Sequence, residues 1–196
     1  MTDLEAPCTE EPATWPALYL AVGPDVADGR PTFTGDVYAD VVPALGAEPV
    51  SVIVLQHPCA LRVDGVRLVP RVLVAELRSR PALTAKEWTT FSRWMPLPGL
   101  HPQVVERKKQ LGAAFLELHI VDPSALVSRV ACLSELGVNT LMQRWTHHNS
   151  RVIVETTKFG EVTGGPFAEA ELVEEWCLDR AVAGLSTAEA TAECHQ

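Results

Sequence analysis

Pro49-Val50-Ser51-Val52-Ile53-Val54-Leu55-Gln56-His57-Pro58-Cys59-Ala60-Leu61-Arg62-Val63-Asp64-Gly65-Val66-Arg67-Leu68-Val69-Pro70-Arg71-Val72-Leu73-Val74-Ala75-Glu76-Leu77-Arg78-Ser79-Arg80 is the stretch whose reading decides the fold. Val50 to Leu55 is a short apolar, β-branched run, the pattern of a strand covered on both faces. It ends at His57-Pro58, where proline removes a donor and restricts the residue before it. Asp64-Gly65 between Val63 and Val66 is a hairpin turn signal, and Val72 to Leu77 reads as the next strand.

Upstream, Ala17 to Val22 reads as a first short strand. Gly23-Pro24-Asp25 and Asp28-Gly29-Arg30-Pro31 are turns, and Phe33 to Val42 is a strand with imperfect alternation. Several short strands separated by turns imply a small barrel or a strongly bent sheet. Residues 1–14, acidic and broken by Pro7 and Pro12, read as a disordered or loosely docked leader.

Downstream the pattern turns helical. Thr84 with Glu87 forms a capping box for a short helix that Pro96 and Pro98-Gly99 stop. Val104 to Gln110 is short and charged, and Ala113 to Val121 reads as a strand. Asp122-Pro123-Ser124 carries a helix-start signal. Ser134 to about His148 is a helix with the apolar stripe Val138, Leu141, Met142 and Trp145. Whether residues 149–156 continue it or become a strand is left open. Thr163-Gly164-Gly165-Pro166 reads as a break before an acidic helix from Phe167 to Leu178. The expected fold is therefore α+β. A single domain spans 15–183, with 15–80 and 113–121 in the barrel and 122–183 mainly helical. Residues 184–196 are expected to form a frayed tail.

The chain has 196 residues and a formal net charge of -9. Between Ala60 and Gly160, 14 Lys/Arg stand against 8 Asp/Glu, so a basic middle lies between acidic ends. That middle reads either as an anion-binding face or as a solvated surface. No apolar run approaches the roughly 18–20 residues that span a bilayer, and the acidic start is not a signal peptide. No membrane partner is expected. Five cysteines without short spacing imply reduced thiols and a cytoplasmic protein. The six histidines show no metal-ligand spacing, so neither a metal nor a cofactor is expected. The sequence holds no G-x-G-x-x-G, P-loop, G-x-S-x-G or H-E-x-x-H motif, which argues against the classes those motifs mark.

Two clusters carry possible chemistry. His57-Pro58-Cys59 ends the central strand; His57 reads as a capped loop residue and Cys59 as a small buried hydrophobe. Arg144, His148 and Arg151 would share one helix face, where they would bind nucleic-acid phosphate with Trp145 stacking on a base. The alternative pairs both arginines with the acidic helix around Glu171, Glu174 and Glu175.

Gly35-Asp36-Val37-Tyr38-Ala39-Asp40-Val41-Val42-Pro43, then Glu48-Pro49-Val50-Ser51-Val52-Ile53-Val54-Leu55, then Val72-Leu73-Val74-Ala75-Glu76-Leu77 resembles the opening of PemK/MazF-like endoribonuclease toxins. The resemblance covers about the first 80 residues. It implies an SH3-like small barrel, frequent homodimers, and metal-free cleavage of single-stranded RNA. This chain has Glu48 where the family carries arginine, and Arg78-Ser79 near the family's strand-end threonine. Metal-free cleavage needs a base for the 2′-hydroxyl and a cation for the phosphate. Arg62, Arg78, Ser79 and His57 are the residues that would have to converge to fill those roles. Two functions follow. One is an intracellular, non-catalytic binding module on a toxin-like barrel, contacting RNA, DNA or a protein partner. The other is a metal-free endoribonuclease with relocated catalytic groups.

Overall fold

The apolar run at Val50–Val54 becomes β3, the middle strand of seven, with Val52, Ile53 and Val54 fully buried. The computed structural model describes residues 3–7, 12–101 and 109–194. Around β3 lie β1 (Tyr19–Val22), β2 (Val37–Val41), β4 (Val72–Pro81), β5 (Trp94–Leu97), β6 (Lys109–Val121) and β7 (Ser128–Leu133). They form one antiparallel sheet in the order β1-β7-β2-β3-β4-β6-β5. Among the described residues there are also four α-helices: α1 (Ala85–Thr90), α2 (Glu135–Ser150), α3 (Thr156–Val182) and α4 (Thr187–Cys194). The fold is α+β.

The sheet bends strongly but does not close into a barrel through its backbone. Its outer strands are β1 and β5, and a side chain spans the gap between them: Tyr19 Oη donates to the Pro98 carbonyl at 2.9 Å. Two strands were not expected. β5 comes from the Trp94–Leu97 segment, too short and proline-rich to read as a strand; at an edge, Pro96 costs no ladder bond that matters. β7 replaces the helix expected after Asp122. There Pro123–Ala125 makes only a 3-10 turn, capped by Asp122 through the Ser124 amide at 2.9 Å. The chain then returns as β7 between β1 and β2. The strand-bearing region therefore extends to Leu133, and the helical part begins at Ser134.

Local chemistry explains the helix starts. Thr84 and Glu87 make the reciprocal capping box at α1, and Ser134 accepts the Gly137 amide at 3.2 Å to start α2. The stripe Val138, Leu141 and Met142 is buried, with Trp145 at its rim. α2 ends where Arg151 adopts the left-handed conformation at φ 60, so residues 152–155 are a short connection, neither helix nor strand.

α3 then runs uninterrupted through Gly164-Gly165-Pro166, against the expected break. Its buried side Thr163, Phe167, Ala170, Val173 and Cys177 packs at helical spacing, and Thr163 Oγ1 bonds Asn139 Oδ1 of α2 at 2.8 Å. Tertiary burial outweighs the local cost of two glycines and a proline. The C-terminal stretch also differs from a frayed tail. Ala190 of α4 is fully buried against Val173 and Cys177, and Trp176 Nε1 donates to its carbonyl at 3.1 Å.

Of the expected leader, residues 3–7 are docked. Leu4 is buried and its amide bonds the Thr89 carbonyl at 3.0 Å. Glu5 receives the Thr156 amide at 2.8 Å and the Thr156 hydroxyl at 2.6 Å, and Gln143 Nε2 at 3.0 Å. It thus caps α3 from a distant part of the chain, where Glu155 makes no side-chain cap. Burial raises the Glu5 carboxyl pKa, but the bonds from Thr156 and Gln143 outweigh it and the net shift is down. The carboxylate therefore stabilises the fold above the ordinary glutamate pKa, and that contribution fades as pH falls through the lowered value. Glu5→Gln should cost about 1 kcal/mol at neutral pH and progressively less in acid, read by denaturant melts at several pH values.

Candidate functional site

The 56–69 segment leaves β3 and folds back as a small hairpin. His57 Nδ1 accepts the Cys59 amide at 3.2 Å and so caps the 3-10 turn Pro58–Ala60. The Val69 amide bonds the Leu61 carbonyl, and Arg62 bridges Leu68. At the tip, Gly65 takes φ +81 while Asp64 accepts the amides of Val66 and Arg67 and the Arg67 guanidinium. Those bonds draw the Asp64 carboxyl down to about 2.

Between this hairpin, the Pro31-Thr32 loop and α3 lies a cleft of about 350 Å³. Its walls are mainly apolar, with Pro58, Val66 and Leu68 on one side and Pro166, Ala170 and Val173 of α3 on the other. Three groups give it chemistry: the exposed Cys59 thiol, Glu169 on α3, and Arg62. Arg62 Nη2 donates to the Thr32 carbonyl at 3.0 Å. Among the described residues it makes no ion pair. Burial lowers its pKa, with Glu169 and Asp36 opposing. It stays a guanidinium nonetheless, because arginine does not deprotonate in proteins.

Behind the cleft a buried set of charges fixes its walls. Arg30 is almost wholly buried and meets Glu174 of α3 at 2.9 Å, its guanidinium over the rings of Phe33 and Phe167. Gly29 beside it allows α3 to approach, since a Cβ there would lie 2.5 Å from Cys177 Cβ. Asp36 is fully buried, accepts the Phe33 amide at 2.9 Å and faces Arg129 Nε at 3.3 Å. Arg129 also donates to Tyr38 Oη at 3.0 Å, which lies 2.9 Å from Thr32 Oγ1. Desolvation raises the Asp36 carboxyl against the pull of Arg129 and Arg30. Burial, with Asp36 alongside, pushes the Cys132 thiol up to about 12.

The residues expected to converge for RNA cleavage do not. Leu55 and Gln56 bond the Leu73 carbonyl, so the His57 loop leaves the ladder near the start of β4. Arg78 sits five residues beyond Leu73, roughly 17 Å at strand rise. It is already engaged, by Glu76 at 3.0 Å and Glu117 at 2.5 Å, and Ser79 lies exposed beyond it opposite Leu111. Of the four, Arg62 lines the cleft and His57 shapes its rim through the Cys59 turn; Arg78 and Ser79 are elsewhere. Cys59 itself is exposed, not a buried hydrophobe, because the turn points it away from the core.

The helix-face reading needs a larger correction. Arg144 has no exposure at all. Its guanidinium donates to the carbonyls of Phe91 (2.8 Å), Glu5 (3.1 Å) and Trp88, and lies 4.8 Å from the Trp88 ring centroid. It is turned into the interior, away from solvent. Arg151 is exposed, and half-buried His148 stacks on Trp145. Burial lowers the His148 pKa, and Arg151 and Arg93 add to the shift. Trp145 packs edge-on against Phe115 at the core rim, and the His148 ring occupies the place of a stacked base on it.

Thr32, Glu169 and the Arg30–Glu174 pair were not singled out from the sequence. Only Asp36 had a signal, as part of Gly35-Asp36-Val37. Among the described residues no cluster of metal-ligating side chains occurs, and no helix is long and apolar enough to cross a membrane. No protein-family model matches the chain, and no curated protein matches it.

Arg144→Ala should leave three carbonyls without their donor and cost about 3 kcal/mol or more, seen as a lowered melting temperature. Any nucleic-acid affinity should keep its salt slope; a slope reduced by about one would return Arg144 to a phosphate contact. The thiols give a second check. Under native conditions Cys59 should react with a thiol reagent within the first phase, with Cys132 and Cys177 labelling only on unfolding.

Proposed function

We propose that this chain is an intracellular, non-catalytic binding module, and that the cleft beside Arg62 receives a segment of a protein partner. The observation that carries the reading is Arg62: a guanidinium in an apolar-walled cleft, held by one backbone carbonyl and by no carboxylate among the described residues. Such a group fits a carboxylate in two parallel bonds, and the surrounding Val66, Leu68 and Val173 suit apolar side chains next to it. A polyanion fits less well. Glu169 stands on the facing helix, the chain carries a net charge of -9, and Arg144 is lost to the interior. The free thiols at Cys59, Cys132, Cys177 and Cys194 support a reducing, cytoplasmic setting. The strongly bent antiparallel sheet around Gly35-Asp36-Val37 supports a likeness in fold to PemK/MazF toxins. The separation of Arg78 and Ser79 from the cleft argues against carrying over their activity.

Selection from displayed random peptides should enrich sequences that set a carboxylate beside apolar residues. Arg62→Ala should weaken them about 10- to 100-fold, the size of a charge-assisted bond, while stability falls only by the lost Thr32 bond, about 1 kcal/mol. Binding indifferent to Arg62→Ala would remove the cleft from the reading. Site-selective cuts in single-stranded RNA under chelator, lost in Arg62→Ala, would replace the module with the ribonuclease.

A further inference from the structure

Arg62 is not the only charge that the cleft leaves open. Glu169 lines its other wall, is exposed, and makes no hydrogen bond or ion pair among the described residues. Burial lowers the Arg62 pKa and the Glu169 charge opposes it, so the two are within electrostatic reach, yet they do not pair with each other. One cleft therefore presents an open cation and an open anion on facing walls.

Local geometry sets each charge beside an apolar surface. Pro166, Glu169, Ala170 and Val173 fall at i, i+3, i+4 and i+7 of α3, which is one face of the helix. Glu169 and Val173 are thus one turn apart, about 6 Å along the axis. On the hairpin Arg62 bridges Leu68, and residues paired across two arms turn their side chains to the same side. The hairpin wall therefore offers a guanidinium beside leucine, and the helix wall a carboxylate beside valine.

We propose that the ligand is an extended segment of a protein partner in which an acidic and a basic residue are neighbours, the acid bound by Arg62 and the base by Glu169. This rests on the partner-binding reading of the cleft and adds what selects the partner. In an extended chain successive side chains point to opposite sides, so neighbours in sequence meet opposite walls. Residues two apart share a side and stand about 7 Å from each other, close to the spacing of Glu169 and Val173. Each charged residue then has an apolar residue two places away, one against Leu68 and one against Val173. The two charges differ in depth. Arg62 is half-buried and fixed by the Thr32 carbonyl, whereas Glu169 is exposed. The acid is therefore the anchor, and the base is the discriminating contact. A segment with two neighbouring acids would set like charges against Glu169, and one with two bases would set them against Arg62, so both are rejected.

Displayed random peptides selected on the full chain should converge on an adjacent acid and base, with an apolar residue two places from each. Selection on Glu169→Lys should replace the base by a second acid and keep the first. Synthetic peptides from the wild-type selection should bind Glu169→Gln about three- to tenfold more weakly, a difference that shrinks with added salt, and Arg62→Ala more weakly still. Glu169 is exposed on a helix, so both of its variants should keep the melting temperature. Bound peptide should also slow the labelling of Cys59, which lines the same cleft. Peptides that need Arg62 but carry no neighbouring base, and emerge unchanged from selection on Glu169→Lys, would overturn this inference and leave the partner-binding reading standing. Peptides indifferent to Arg62→Ala would remove both. So would peptides that bind while Cys59 is labelled at its free rate.

Discussion

A single buried cation holds together three parts of this molecule that are far apart in sequence. Arg144 comes up from the middle of α2 and ends among carbonyls: Trp88 and Phe91, at the end of α1, and Glu5 of the N-terminal segment. The C-terminus of a helix is the negative end of its dipole and leaves carbonyls unbonded, so a guanidinium there satisfies both needs. A fully buried charge is otherwise costly, and these three carbonyl acceptors offset much of the loss of water. The same helix then fixes α3, because Gln143, the preceding residue, holds Glu5 and through it the first turn at Thr156.

The cleft depends on that arrangement at one remove. α3 forms one wall, and its position is set at two places: by the Asn139–Thr163 bond near its start, and by Arg30–Glu174 further along. Neither contact lies in the cleft. Yet they set the distance between Val173 and the 58–68 hairpin, and hence the shape offered to a ligand. Asp36, a buried carboxylate whose charge acts on Arg62, is itself held by Arg129 and the Phe33 amide.

The parts legible from the sequence were those governed by neighbours along the chain. The buried strand at Val50–Val54, the Asp64-Gly65 hairpin, the Thr84–Glu87 capping box and the α2 stripe all follow from spacing and local bonding. What escaped was decided by contacts between distant residues. Ser128–Leu133 has too short and mixed a pattern to announce a strand; it is one because β1 and β2 accept it on either side. Gly164-Gly165-Pro166 reads as a break until the buried flank of α3 is known. Arg144 sits at helical spacing from His148 and Arg151, and spacing alone cannot tell an outward arginine from one aimed at carbonyls. The cleft was half visible, since Arg62 was named, but Thr32 and Glu169 reach it only through the packing of α3.

The pairing of β1 with β7 has a bearing on how the chain is made. Tyr19 leaves the ribosome early, and its partner Leu133 only after every other strand has emerged. During synthesis β2, β3 and β4 can pair in turn by short connections, while the first strand waits with nothing to bond. Non-local pairing of this kind slows folding, because a long loop must close before any contact repays it. The nascent sheet therefore grows outward from its middle strand, and the segment made first is among the last to find its place.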